Sequence, residues 1–131
     1  MDIKHVHAYW PEERGFTLEM DCKEDFYVFI HFHTEVELAD GNVIKPGGCI
    51  LYKPNSYRYF KAKKCTLYHD WMNIDGNLEE LITKYNIQCN HVYYPINDYK
   101  ITDIISDIET EKQFNSKYCE NMYKLKIEEL F

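Results

Sequence analysis

Short runs of apolar and aromatic residues dominate the first half of the chain. Residues 16–20 alternate strictly between apolar and polar, and residues 26–32 (Phe-Tyr-Val-Phe-Ile-His-Phe) are almost continuously apolar. Both patterns are typical of β-strands. Similar runs at 49–52, 57–60 and 67–74 are separated by turn residues rich in Gly, Pro, Asn and Asp. About six to eight short strands at regular spacing favour a β-sandwich or barrel.

The hydrophobic period changes from two to about 3.6 after Asp75-Gly76. Apolar residues then recur at i, i+3, i+4 and i+7 in two places, which predicts two amphipathic helices. The first set is Leu78, Leu81, Ile82 and Tyr85, and the second is Ile101, Ile104, Ile105 and Ile108. The segment 116–131 has few helix breakers and predicts a third helix.

Strands come first and helices second, which favours an α+β arrangement over alternating β-α-β units. The chain is therefore expected to be mainly β. A β-barrel over residues 1–76 would be followed by two to three helices over residues 77–131. With 131 residues, the chain has the length of a single domain.

Composition narrows the class of protein. Hydrophobic residues make up 45% of the chain and aromatic residues 16%, which is too apolar for a disordered protein. No apolar run is long enough to span a membrane, and no leader pattern is visible, so we expect a soluble cytoplasmic protein. The net charge of −7 argues against nucleic-acid binding by these residues. The five cysteines form no Cys-x-x-Cys pair and are expected to be free thiols, with Cys49 buried.

The densest group of chemically versatile side chains lies at the end of the second apolar run. His31 and His33 are two residues apart, so on a strand they face the same side, and Glu37 can return to that side. Two imidazoles and a carboxylate are a ligand set for iron, manganese or nickel. The alternative is that the two histidines simply line a pocket or a polar face.

These residues also carry a resemblance to the cupin superfamily, a β-barrel fold. His31-x-His33, three residues and then Glu37 resembles the first cupin motif. Gly48, five residues and then Pro54 resembles the start of the second. That motif would place its last histidine ligand where this chain has Tyr59, and its second glycine where this chain has Ser56. The resemblance implies a cupin barrel, and the replaced ligand predicts that the domain needs no metal or other cofactor.

A second resemblance extends over roughly residues 5–131. The segments 29–41, 49–54 and 70–76 are similar, in order and spacing, to strands of the N-terminal sensor domain of AraC-type transcription regulators. In that family the sensor barrel binds a sugar or other small metabolite, and the following helices mediate dimerisation. A DNA-binding helix-turn-helix domain comes next in the family, and these 131 residues contain none. The resemblance therefore implies a small-molecule effector, a homodimer, and DNA contact only through a domain outside this chain.

A sensor barrel would take its pocket from alternate residues of its strands. The residues expected to bind the effector are aromatic rings and polar groups that suit a sugar: Tyr27, Phe29, His31, His33, Tyr59, Trp71 and Asn73. If the opposite face of the strand points inward, the lining becomes Val28, Ile30 and Phe32 instead.

The predicted third helix carries more apolar residues than one face requires. The second of its apolar faces, formed by Tyr118, Met122 and Leu125, is expected to pack against the same helix of another molecule.

Three functions follow from these patterns. A sensing and dimerising domain of a regulator, which is not an enzyme, agrees with most of them. The alternatives are a metal-dependent cupin enzyme, either an oxygenase or an isomerase, and a cupin domain that only dimerises and binds no ligand.

Overall fold

The computed structural model describes residues 2–21, 24–62, 66–114 and 130. This part of the chain is mainly β, with eight antiparallel strands in two four-stranded sheets and few helices. The first sheet has the order β1-β8-β3-β6, and the second has the order β2-β7-β4-β5. The strands are β1 (Asp2–Glu12), β2 (Thr17–Asp21), β3 (Tyr27–Phe32), β4 (Val36–Glu37), β5 (Val43–Ile44), β6 (Cys49–Tyr52), β7 (Tyr57–Ala62) and β8 (Leu67–Asp75).

The two sheets bury one apolar core between them. It contains residues from both sheets, among them Phe32 from β3, Phe60 from β7 and Leu67 from β8, each at most 2% exposed. The rings of Phe32 and Phe60 meet edge to face, with their centroids 5.1 Å apart. Because every side chain of β3 is buried, this strand must be covered on both faces.

Two helices provide that second cover. The short helix α1 (Glu79–Lys84) begins where the Asn77 Oδ1 atom accepts a hydrogen bond from the Glu79 N–H. The longer helix α2 (Tyr99–Phe114) packs against β1 and β8. The apolar spacing seen in the sequence explains this arrangement, since its members form a second core with the outer face of the first sheet: Leu78, Ile101, Ile104, Ile105 and Ile108.

Three predictions from the sequence can be compared with the structure at this point. Cys49 is a buried free thiol as predicted, and burial next to Asp98 raises its pKa to about 11. Neither described helix is long and apolar enough to cross a membrane. The predicted third helix and its dimerisation face, Tyr118, Met122 and Leu125, lie outside the described residues.

Candidate functional site

Strand β3 separates two different environments. Alternate residues of a strand point to opposite faces, and Val28, Ile30 and Phe32 face the second sheet. Their partners on β8 lie on the same inner face, which places one aromatic and two polar side chains between the sheets: Trp71, Asn73 and His69. The inner face of this sheet is therefore apolar along β3 and more polar along β8.

A cavity of about 220 Å³ lies between the two sheets. Its apolar wall includes Phe16, Leu18, Val28, Ile30, Phe60 and Trp71. Five polar side chains also line it: Glu12, Glu24, Arg58, His69 and Asn73. We refer to this space as the interior cavity. An apolar chamber with a few convergent polar groups is the usual form of a small-molecule site.

His69 is the least satisfied polar side chain of the interior cavity. The residue is 5% exposed, and neither ring nitrogen has a hydrogen-bond partner among the described residues. The nearest carboxylate oxygen, Glu12 Oε1, is 3.8 Å from Nε2, which is too long for a hydrogen bond. Burial lowers the pKa of His69 to about 4, although the neighbouring Asp70 opposes the shift. A neutral imidazole with a free donor and a free acceptor therefore borders the cavity.

Arg58 brings a positive charge to the same wall. Its side chain is 7% exposed, and Nη2 donates a 2.8 Å hydrogen bond to Glu24 Oε2. A buried guanidinium needs a paired carboxylate, and the ion pair with Glu24 holds the Arg58 side chain beside the cavity. The interior cavity is therefore lined by a guanidinium, two carboxylates, an imidazole and an amide, in an otherwise apolar wall.

A second polar group lies on the opposite, helix-facing side of the first sheet. Three side-chain atoms converge on one carboxylate oxygen, Asp70 Oδ2. His31 Nδ1 is 2.8 Å away, His33 Nε2 2.9 Å and Thr102 Oγ1 2.7 Å. We refer to these four residues as the His–Asp cluster. It joins β3, β8 and α2.

The charge of Asp70 depends on these contacts. The residue is fully buried, and burial alone raises the pKa of a carboxyl group. Hydrogen bonds from His31, His33, Thr102 and the Tyr9 N–H outweigh burial, so the pKa of Asp70 lies well below its usual range. Asp70 is therefore an ionised carboxylate inside the protein.

Tyr9 covers the cluster from β1. Its N–H donates a 2.7 Å hydrogen bond to Asp70 Oδ1, and its ring lies 4.7 Å from that of His33. The backbone reaches this position through a β-bulge between His7 and Trp10, where Tyr9 has a φ of 51°. A left-handed conformation costs an aromatic residue about 1–3 kcal/mol, so the surrounding contacts must hold it.

A second cavity, of about 330 Å³, lies on the helix-facing side. Its described lining has no charged side chain and is mostly aromatic and aliphatic, with Phe29, Leu51, Tyr93 and Ile101 among its members. It offers apolar volume but fewer directional groups than the interior cavity.

Comparison with solved structures assigns the fold. Apo ToxT from Vibrio cholerae strain SCE256 superposes with a TM-score of 0.62 at 15% identity, over 96% of this chain and 53% of that chain. ToxT from Vibrio cholerae O395 gives a TM-score of 0.58 at 10% identity, over 97% and 52%. ToxT is an AraC-family regulator, and the match is to its N-terminal ligand-binding domain. The chain has the fold of that ToxT domain.

The similarity to ToxT covers only part of the ToxT chains and is low in sequence identity. This chain spans about half the length of the ToxT chains it matches, and identities of 10–15% establish the fold alone. No protein-family model matches the chain, and no curated protein sequence matches it.

Within this ToxT-like fold, the seven predicted effector residues lie in three places. Trp71 and Asn73 line the interior cavity. Tyr27, Phe29, His31 and His33 lie on the helix-facing side, because the two sheets bury the more apolar positions of β3 against each other. Tyr59 lies on the outer face of the second sheet, since its neighbours Arg58 and Phe60 occupy the inner face. The seven residues do not line one cavity, and their role in binding stays a prediction.

Six polar residues of the two sites were missed from the sequence: Glu12, Glu24, Arg58, His69, Asp70 and Thr102. Arg58 precedes Tyr59 in the cupin-like motif, and one residue of register decides which of them points inward. His69 and Asp70 precede Trp71 in the segment similar to AraC-type sensors. Continuing the alternation back from Trp71 and Asn73 would have identified His69 as an inner residue. Glu37, the carboxylate that the sequence offered beside the two histidines, is not part of this group; the carboxylate next to His31 and His33 is that of Asp70.

Proposed function

We propose that the chain is the effector-binding domain of an AraC-type transcription regulator and binds a small molecule in the interior cavity. One observation carries the proposal: both ring nitrogens of buried His69 lack a partner among the described residues. A buried polar group without a partner costs about 1–3 kcal/mol, and a ligand with matching groups recovers that cost. The fold shared with a ligand-binding domain supports the same conclusion.

The strand order supports a cupin-like jelly roll over residues 1–76. Within the two sheets the neighbouring pairs β1-β8, β3-β6, β2-β7 and β4-β5 each join an early strand to a late one. This is the pattern of a long hairpin rolled into two Greek keys, which is how jelly rolls such as the cupins are built. Residues 77–131 would then form the helical dimerisation segment of the same domain.

The cavity favours a small polar effector, for which a sugar is our first choice. Its 220 Å³ correspond to about seven waters of liquid volume, below the range typical of drug-sized ligands. Trp71 offers a flat apolar surface, and Arg58, His69 and Asn73 offer hydrogen bonds around it. This combination suits a compact molecule with hydroxyl groups and an apolar face.

Two features favour sensing over cupin enzyme chemistry. Among the described residues that line the interior cavity, His69 is the one histidine, whereas a cupin metal centre needs several. The position where that motif has its last histidine holds Tyr59 on the outer face of the second sheet. We therefore propose a non-enzymatic domain. In a regulator of this type DNA is contacted by a separate helix-turn-helix domain, so the partners of this chain are its effector and a second copy of itself.

Effector binding is tested by thermal shift against a panel of monosaccharides and short organic acids. A ligand of the folded state raises the melting temperature in a concentration-dependent manner. We expect His69→Gln to weaken a hit at least tenfold, because it alters the hydrogen-bonding groups that face the ligand. The matched control is His91→Gln, an exposed histidine outside both cavities. A hit that binds His69→Gln as tightly as the unmodified protein would remove the interior cavity from the proposal.

Dimerisation is tested by sedimentation at tens of micromolar protein. Burying Tyr118, Met122 and Leu125 is worth on the order of 5 kcal/mol before the cost of association, which supports a dimer of about micromolar strength. We expect a dimer, and we expect Met122→Glu or Leu125→Glu to give a folded monomer because a charge cannot be buried in that contact. A monomeric unmodified chain would exclude this interface.

A further inference from the structure

The His–Asp cluster has the composition and convergence of a metal site. His31, His33 and Asp70 each offer one ligand atom, and these three atoms all lie within 4.8 Å of one another. Two imidazole nitrogens and one carboxylate oxygen form a ligand set that suits divalent transition metals such as zinc. Thr102 Oγ1, 3.3 Å from His33 Nε2, provides a fourth polar atom at the same point.

We propose that His31, His33 and Asp70 bind one divalent transition-metal ion on the helix-facing side of the first sheet. The site is separate from the interior cavity and does not depend on the proposed effector function. It also differs from a cupin metal centre, because the ligands face the helices and Asp70 replaces Glu37. This proposal departs from the expectation, drawn from the sequence, that the domain needs no metal.

The spacing of the three ligand atoms can be compared with the spacing around a zinc ion. Ligand atoms on one tetrahedral zinc at about 2.0–2.1 Å lie roughly 3.4 Å apart. In the cluster, Asp70 Oδ2 is 2.8 Å from His31 Nδ1 and 2.9 Å from His33 Nε2. Each of these pairs therefore has to separate by about 0.5–0.6 Å, and the two histidine nitrogens, which lie within 4.8 Å of each other, have to approach to about 3.4 Å. His33 is the more accessible ligand, with 20% of its side chain exposed, and it opens the cluster to solvent.

The buried second nitrogen of His31 is the strongest geometric argument for a metal. His31 Nδ1 lies 2.8 Å from Asp70 Oδ2, and Nε2 is buried without a hydrogen-bond partner among the described residues. Asp98 Oδ2 lies 3.7 Å from Nε2, too far for a hydrogen bond. A histidine that binds a metal through Nδ1 carries its N–H on Nε2, and here that group would point at the Asp98 carboxylate. Metal-bound histidines commonly direct their second nitrogen at a carboxylate in this way.

The absence of a side chain at Gly47 leaves room for the Asp98 carboxylate near His31. Gly47 has a φ of 95°, and a Cβ atom there would come within 3.0 Å of Asp98 Oδ2. A side chain at residue 47 would therefore push the carboxylate away from His31. The glycine allows a second carboxylate to approach the cluster.

A metal at this position would connect the first sheet, which lines the interior cavity, to helix α2. His31 belongs to β3, His33 follows its end and Asp70 belongs to β8; the opposite faces of both strands line the interior cavity, and Thr102 belongs to α2. Metal occupancy would therefore hold α2 against the sheet. We expect slower amide exchange in α2 when the site is filled, because local opening would break metal-ligand contacts.

The test is zinc and cobalt binding by the untagged full chain after treatment with a chelator and dialysis. We expect one zinc per chain by elemental analysis, and a cobalt spectrum without thiolate charge-transfer absorption. Thiolate absorption would place the metal on a cysteine and overturn the assignment. Hydrogen exchange should show added protection in α2 with zinc, and an unchanged α2 would contradict the connection to the helix.

Variants identify the ligands. His33→Gln and Asp70→Asn should abolish stoichiometric binding, and Asp98→Asn should weaken it about 10- to 100-fold through the orientation of His31. The matched control His5→Gln, an exposed histidine of β1, should bind like the unmodified chain. If Asp70→Asn does not fold, the accessible His33 and Asp98 variants decide the outcome. Less than a tenth of a zinc per chain in the unmodified protein, or undiminished binding by His33→Gln, would refute the site.

Discussion

Lowering the pH from 7 to 4 is expected to remove about 3 kcal/mol of folding free energy through His69 alone. Burial lowers the pKa of His69 in the folded state to about 4, from an ordinary value of 6.5. Between these values the unfolded chain binds a proton that the folded chain does not, so stability falls as the pH is lowered through this window. A difference of about 2.5 pH units corresponds to about 3 kcal/mol.

The measurement is urea denaturation at several pH values between 4 and 7, with the chelator present. His69→Gln is the comparison, because it occupies a similar volume but does not titrate. The difference in unfolding free energy between the two proteins should change by about 3 kcal/mol across the window. Asp70 begins to bind a proton in the unfolded chain near pH 4, but both proteins contain it, so its contribution cancels in the difference. Parallel pH profiles would show that His69 is not held neutral by burial.

Asp70→Asn is expected to destabilise the fold by about 3–5 kcal/mol. The carboxylate accepts hydrogen bonds from His31, His33 and Thr102 at one oxygen and from the Tyr9 N–H at the other. An amide cannot accept at both positions, so buried donors lose their partner. Breaking a buried charged network by changing one member typically costs this amount.

The control is a second Asp→Asn substitution on β8, at Asp75. Asp75 also lies on β8, but its side chain is 48% exposed and its Oδ2 is 3.9 Å from Lys4 Nζ. An exposed ion pair of this kind contributes at most about 1 kcal/mol, so Asp75→Asn should be nearly neutral. Urea denaturation without metal measures both variants. Equal effects of the two substitutions would show that the His–Asp cluster does not stabilise the metal-free protein.

Local patterns were sufficient for most elements. The alternating and aromatic runs coincide with β2, β3, β6, β7 and β8, and the 3–4 spacing coincides with α1 and α2. These patterns are informative because a strand repeats every two residues and a helix every 3.6, whatever the element packs against. The short strands β4 and β5 have two residues each, too few to show a period.

The face of β3 could not be predicted in the same way. Its six residues are all buried, so neither face carries the exposed polar residues that would mark the outside. Both alternatives were compatible with the sequence. The helices decide between them, because they cover Tyr27 and Phe29 and leave Val28 and Ile30 to face the second sheet.

The sequence by itself determined that this protein is mainly β with helices after the strands, and it identified His31 and His33 as neighbours on one face. Only the tertiary structure brought Asp70 and Thr102 to those histidines, because Asp70 lies 37 and Thr102 69 positions from His33 in the chain. It alone placed His69 and Arg58 around one cavity. Periodicity within an element depends on local backbone geometry, whereas sites between elements depend on strand register and on which sheet or helix covers each face.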